Sequence, residues 1–240
     1  AGIENPYQSL MIKGINKSKQ LNAFTGVDDR FLGIIKTWIK YNPSYIHFDW
    51  IHSYYLRRKL WMTYLLLPVF VFQVMFVKYC TKTKFVWTMH NIMPHNSNDY
   101  IFNKYLRSWF AKKCLWIRVF SEATIYKASG LFKIDKNIFK IVPEGDYTSV
   151  YPDTISRNDA RKHLNLDKDE RVFLYIGFIR PYKGLDKLID AFDKLKIENS
   201  KLIIVGYARD KSYIANLKDK VTSLKNNLII INDVFVPDNE

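Results

Sequence analysis

Arg171-Val172-Phe173-Leu174-Tyr175-Ile176-Gly177-Phe178-Ile179-Arg180-Pro181-Tyr182-Lys183-Gly184-Leu185 decides the fold. A short apolar run rich in β-formers ends at a glycine, turns through basic residues and opens an amphipathic segment. Leu185, Leu188, Ile189, Phe192 and Leu195 recur at helical spacing. The same rhythm then repeats. Residues 201–206 (KLIIVG) read as a strand, Tyr213, Leu217, Val221 and Leu224 as a helix, and 228–231 as a third strand. This is a βαβαβ unit, one mononucleotide-binding half of a Rossmann-like domain. Ligands of open parallel sheets bind at the carboxyl ends of strands, and a helix start offers free N–H groups to an anion. Gly177 and Gly184 allow the backbone close to such a ligand. Arg180 can pair bidentately with a phosphate, and Lys183 adds a point charge.

Upstream the pattern is similar. Asn5-Pro6-Tyr7-Gln8 is a helix start, with Tyr7, Leu10, Met11 and Ile15 on one face. A second helix is expected from Asp28 to about Asn42, stopped by Pro43. Strands are expected at 44–50, 84–89, 115–120 and 138–142, with helices at 60–77 and 98–113 between them. Alternating strands and helices imply a parallel sheet covered on both faces. Residues 151–171 turn polar, so the boundary falls there, giving 1–150 and 151–240 as two α/β domains. Asp159–Leu164 is read as a short helix inside this stretch.

The chain has 240 residues and a formal charge of +14. Residues 1–150 hold 21 Lys and Arg against 9 Asp and Glu, a net of +12, and the remainder nets +2. An apolar fraction of 48% supports a full core and excludes a disordered chain. The basic first part points to an anionic partner: membrane, nucleic acid or phosphorylated substrate. Cys80 and Cys114 form no C-x-x-C pair or disulfide framework, which suits a reducing compartment. The run from Leu60 to Val77 approaches the length of a membrane span, interrupted by Thr63, Pro68 and Gln73. A span, a half-buried helix of a soluble domain and a helix lying in the membrane interface all remain open for it.

GFIRPYKGLDKLIDAF at 177–192 resembles the donor-domain signature of retaining GT-B glycosyltransferases of the family 4 group, also called group 1. Four other stretches agree in order. Gly2-Ile3-Glu4-Asn5-Pro6-Tyr7-Gln8 resembles the loop and helix after the family's first strand. Thr88-Met89-His90-Asn91-Ile92-Met93-Pro94-His95 resembles its His-Asn segment. Ile141-Val142-Pro143-Glu144-Gly145 resembles the turn before its interdomain linker, with Glu144 in place of the usual His or Asn. Val234-Phe235-Val236-Pro237-Asp238-Asn239-Glu240 resembles the turn before its nucleotide-facing helix.

The resemblance implies an acceptor-side Rossmann-like domain over 1–150 and a partial donor-nucleotide domain over 151–240. Arg180 and Lys183, with Gly177 and Gly184, would hold the diphosphate of a UDP- or GDP-linked sugar. They would also stabilise the leaving nucleotide, without metal or other cofactor. His90 would sit near the reacting sugar. Asn91, Gly2, Glu144 and Gly145 are further cleft candidates, and His95 and His47 weaker ones. The acceptor would be lipid-linked or polysaccharide, in cell-surface glycan synthesis. The enzyme would be cytoplasmic and peripheral on the inner face of the plasma membrane. The family's first strand would precede Gly2, and its donor domain, with a Glu-x7-Glu motif, would continue past Glu240. The chain is therefore expected to be a fragment, with weak or absent transferase activity on its own. Two other classes compete: a basic nucleic-acid-binding protein, and a membrane-anchored scaffold without catalysis. The first lacks a nucleic-acid motif, and the second leaves 177–184 unexplained.

Overall fold

A computed structural model describes residues 6–29, 31–57, 59–94, 100–148, 150–151, 154–224 and 228–234. The chain divides into two compact units, one Ser9–Gly145 and the other Asp146–Glu240 grouped with Ala1–Gln8.

The first elements are α1 (Tyr7–Lys17), α2 (Gly33–Tyr41), β1 (Tyr45–Phe48), α3 (Leu60–Cys80), β2 (Lys84–Thr88), α4 (Tyr100–Ala111), β3 (Cys114–Val119), α5 (Glu122–Phe132) and β4 (Phe139–Ile141). The four strands form one sheet in sequence order, every pair parallel. Such pairs require a crossover, and α3, α4 and α5 supply the three. Phe48, Phe85 and Trp87 point from one sheet face into a cluster with Phe70 of α3 and Phe110 of α4. Phe110 meets Phe48 edge-on at 5.1 Å and Trp87 at 5.7 Å. Several boundaries differ from expectation and α5 was not among the expected helices; two of the differences have a visible cause. Strand β1 ends at Phe48, which frees Asp49 and Trp50 for the sheet's carboxyl edge. Helix α2 starts at Gly33 rather than Asp28, because the Asp29 carboxylate accepts from the N–H groups of Phe31 and Leu32 and closes a turn first.

The second unit continues with α6 (Arg157–His163), β5 (Arg171–Ile176), α7 (Leu185–Leu195), β6 (Ser200–Val205), α8 (Lys211–Ser223) and β7 (Ile229–Asn232). Its three strands are parallel in the order β5-β6-β7, which is the βαβαβ expected from the sequence. Ser156 caps α6 by accepting from Asp159 N–H, so that helix begins two residues earlier than expected. The core gathers Ile179, Leu185, Ile189 and Phe192 against Leu202, Ile204 and Ile229.

Candidate functional site

Beyond β5 the chain makes a tightly held basic turn. Gly177 has φ +142° and donates its N–H to Val205 O at 3.0 Å. Gly206, at the end of β6, has φ +157°, and a Cβ there would lie 1.7 Å from Gly177 O. The two strand ends thus meet backbone to backbone, which only glycine allows at Gly206. Ile179 anchors the turn: it is fully buried and donates its N–H to Tyr207 O at 3.1 Å. Tyr175 steadies the loop through its hydroxyl, which donates to Phe178 O at 2.9 Å.

Arg180 then precedes a single 3₁₀ turn, Pro181–Lys183, and Gly184 reverses the chain with φ +68° and ψ 34° to start α7. Proline fits the first position of such a turn, and glycine the left-handed residue that closes it. Gly184 offers no side chain to cap α7, so the helix start depends on other partners. The Arg180 guanidinium lies 5.0 Å from the Phe178 ring, and Lys183 Nζ 5.3 Å from the Tyr182 ring. Neither cation forms an ion pair with a described residue. Two cations on one short turn beside a helix start are residue types that can pair with an anion. Asp186 in the first turn of α7 is the one carboxylate close by in sequence. Asp233 ties the neighbouring strand ends together. It accepts from Ala208 N–H at 2.8 Å and pairs with Lys211 at 2.7 Å, and these bonds hold its carboxyl below the usual range.

The His-Asn segment lies in the other unit, at the carboxyl ends of β1, β2 and β3. His90 Nε2 lies 3.2 Å from Asp49 Oδ1, and both side chains are largely buried. Trp50 stacks on the His90 ring at 4.4 Å and 9°, and Phe120 closes a third side at 5.6 Å. The Trp87 indole N–H donates to Asp49 O at 3.2 Å and fixes the β1 end. His90 is thus oriented by a carboxylate and packed against aromatic rings. His47 Nε2 meets Thr88 Oγ1 at 2.7 Å. Burial pushes the His47 imidazole down, Arg118 and His90 add to this, and Asp49 opposes it.

Two buried arginines hold the adjoining backbone. Arg107 Nη1 donates to Asn91 O at 2.7 Å and to Ile92 O at 3.1 Å, so it fixes the loop that carries Asn91. Burial lowers Arg107 to about 10, which leaves it cationic at neutral pH. Arg118 donates through Nε to Val142 O at 3.1 Å and through Nη2 to Pro143 O at 2.6 Å. That bond pair leads the chain out to Glu144 and Gly145, both exposed. Gly2, His95 and the turn over 235–240 lie outside the described residues.

The turn thus brings together Gly177, Arg180, Lys183 and Gly184, while His90 and Asn91 share a loop in the other unit. Two contributors escaped sequence reasoning. Gly206 carried a signal, because β6 ends on glycine as β5 does. Asp49 carried a weaker one, a carboxylate two residues after His47 at a strand end. Among the described residues, no group of three or more His, Cys, Asp and Glu side chains is placed to hold a metal ion.

Residues 156–237 match the family described as Glycosyl transferases group 1. A lipopolysaccharide 1,2-N-acetylglucosaminetransferase of Salmonella typhimurium is 38% identical over 85 residues, covering 34% of this chain and 22% of that protein. An uncharacterized glycosyltransferase of Methanocaldococcus jannaschii is 27% identical over 176 residues, covering 71% of this chain and 41% of its own length. Among solved structures, Anabaena HepE in complex with UDP and glucose superposes with a TM-score of 0.61 at 18% identity, over 94% of this chain and 59% of that one. Sucrose-phosphate synthase from Thermosynechococcus elongatus gives 0.59 at 17% identity, over 86% and 49%. The chain spans less than two thirds of the length of each of these proteins. Residues 156–237 are therefore similar to the group 1 glycosyl transferases, and the fold that carries them is the α/β GT-B class, with parallel sheets in two units.

Proposed function

We propose that this chain belongs to a glycosyltransferase that moves a sugar from a UDP- or GDP-linked donor to a lipid-linked or polysaccharide acceptor. The observation that carries the reading is the pair Arg180 and Lys183 on a glycine-bounded turn at the start of α7. The match of residues 156–237 to group 1 and the UDP held by HepE support it. The relative that acts on lipopolysaccharide favours a glycan acceptor in cell-surface synthesis.

In the reaction the bond between the anomeric carbon and the donor phosphate oxygen breaks. Its electron pair stays on the leaving nucleoside diphosphate. The acceptor hydroxyl forms the new bond, and its proton passes to the departing diphosphate. Arg180 and Lys183 are assigned to the diphosphate, where negative charge grows most. They take the part a divalent ion plays elsewhere, so donor binding needs no metal. His90, oriented by Asp49, is assigned to a sugar hydroxyl. The anomeric configuration is retained, in keeping with the signature at 177–192. The enzyme works in the cytoplasm, peripheral on the inner face of the plasma membrane.

Isothermal titration with UDP and with GDP, in chelator, tests this. One nucleotide is expected to bind. Arg180→Ala/Lys183→Ala removes both cations that bond to the diphosphate and is expected to weaken binding by roughly 100-fold. The base that binds names the donor class. Equal binding by the double variant would remove the phosphate grip, and binding only on addition of magnesium would remove the metal-free reading.

A further inference from the structure

The outer face of α3 is apolar and uncovered. At the helical period, Thr63, Leu66, Phe70, Gln73, Val74 and Val77 fall on one side, and all are buried. Trp61, Tyr64, Leu65, Phe72 and Tyr79 fall on the opposite side and are 60–63% exposed. Surface helices of soluble domains turn charge outward at such positions. Helix α3 instead has no acidic residue and a single lysine, Lys78, in its last turn. Its exposed stripe runs ~27 Å from Trp61 to Tyr79 at the usual rise per residue.

Cations frame the stripe. Lys59 is the residue that starts α3, Lys78 lies near its end, and Lys82 is exposed just beyond. Lys113, from the loop after α4, donates from Nζ to the Tyr79 hydroxyl at 2.7 Å and lies 5.1 Å from its ring. Between Asp49 and Asp99 the sequence has no Asp or Glu, against six Lys and Arg. Aromatic and aliphatic side chains flanked by cations of one sign match the boundary between lipid headgroups and acyl chains. Anionic headgroups supply the complementary charge.

We propose that α3 docks the protein on an anionic lipid bilayer. The helix lies flat, with its Trp61–Tyr79 face at the acyl boundary and Lys59, Lys78, Lys82 and Lys113 on lipid phosphates. It does not span, because its inner face belongs to the domain core. Phe70, Val74 and Val77 are fully buried there. The Gln73 amide bonds to the backbone of Phe31, Ile34 and Ile35. A second copy of the chain fits less well, since pairing the stripes would bring lysines of both copies together. The inference rests on the membrane-side acceptor proposed above and gives that placement its contact surface.

Flotation with vesicles of phosphatidylcholine alone, or mixed with phosphatidylglycerol, tests it. The wild type is expected to float with the mixed vesicles. Trp61→Ser/Leu65→Ser/Phe72→Ser is expected to lose at least about tenfold in partitioning, and Lys78→Glu/Lys82→Glu about tenfold on mixed vesicles only. Melting curves and titration with UDP and with GDP on the same preparations separate this from misfolding and from failure of the donor site. Unchanged vesicle binding in the apolar variant overturns the proposal. So does a wild type that ignores vesicles yet sediments as a dimer, which the apolar variant converts to monomer. Failure to bind either UDP or GDP with vesicle binding intact would sink the donor reading and leave the docking face standing.

Discussion

Gly206 shows how little room the basic turn leaves. A methyl group at this position would overlap Gly177 O at 1.7 Å, and the φ of +157° disfavours any other residue. Gly206→Ala is expected to destabilise the second unit by ~3 kcal/mol or more, the range of backbone clashes that nothing can relieve. Denaturant melts of the two proteins would measure it, and a loss under about 1 kcal/mol would contradict the close approach. Gly184→Ala meets no atom within 4 Å, so it should cost only the strain of a left-handed residue, about 1 kcal/mol. His47 makes the acid-side prediction. Burial holds its imidazole below the ordinary value, with Arg118 and His90 adding and Asp49 opposing. The unfolded chain therefore takes up this proton first as the pH falls. The stability from His47 is whole above pH ~6.5 and drains away below it. His47→Gln keeps a hydrogen-bonding partner for Thr88 and should flatten the fall in melting temperature on that acid side. An unchanged slope would mean that another group sets it. The turn that carries Arg180 and Lys183 was legible in the sequence because glycine and charge mark a turn after a strand. Asp49 was not, because its meaning depends on His90, 41 residues away.

Elements raise the same question of range. Helix α2 starts at Gly33 with no side-chain cap of its own. Its first N–H groups are met from another helix: Gln73 Oε1 accepts from Ile34 N–H at 3.2 Å and from Ile35 N–H at 3.3 Å, while Nε2 donates to Phe31 O at 2.7 Å. These are the donors a helix start leaves unsatisfied. Gln73→Leu keeps the volume but strands them in a buried setting, so it is expected to cost about 2–3 kcal/mol. Gln73→Glu would keep the acceptor and lose less at neutral pH, aided by the helix dipole. Equal losses for the two would show that the volume matters and the cap does not. In the sequence Gln73 was legible only as a break in an apolar run. A cap supplied across 39 positions has no local signature. The apolar run itself admitted three readings, because composition does not say how much of a helix its neighbours cover. The domain core covers one face of α3 and leaves the other open.

At the scale of the whole molecule the alternation of strands and helices was enough to give two parallel-sheet units. Period and β-branched runs are local, and parallel pairing demands the crossover helices between them. The hydrophobic interiors are separate: one cluster gathers around Phe48, Phe85 and Phe110, the other around Ile179, Ile189 and Ile204, with no residue in common. The sheets are separate too, four strands in one and three in the other. Separate cores favour separate melting. Calorimetry is expected to resolve two transitions, the lower one from the three-stranded unit with the smaller core. That unit holds Arg180 and Lys183, so the nucleotide proposed to bind there should raise the lower transition and leave the upper one in place. At a free concentration of ~100 Kd the gain is about 2.7 kcal/mol, roughly 10 °C for a unit of this size. The Arg180→Ala/Lys183→Ala variant should keep both transitions and lose the shift. One cooperative transition that moves as a whole with nucleotide would mean that the two cores unfold together despite sharing no residue. A shift of the upper transition alone would assign the nucleotide to the unit that carries His90.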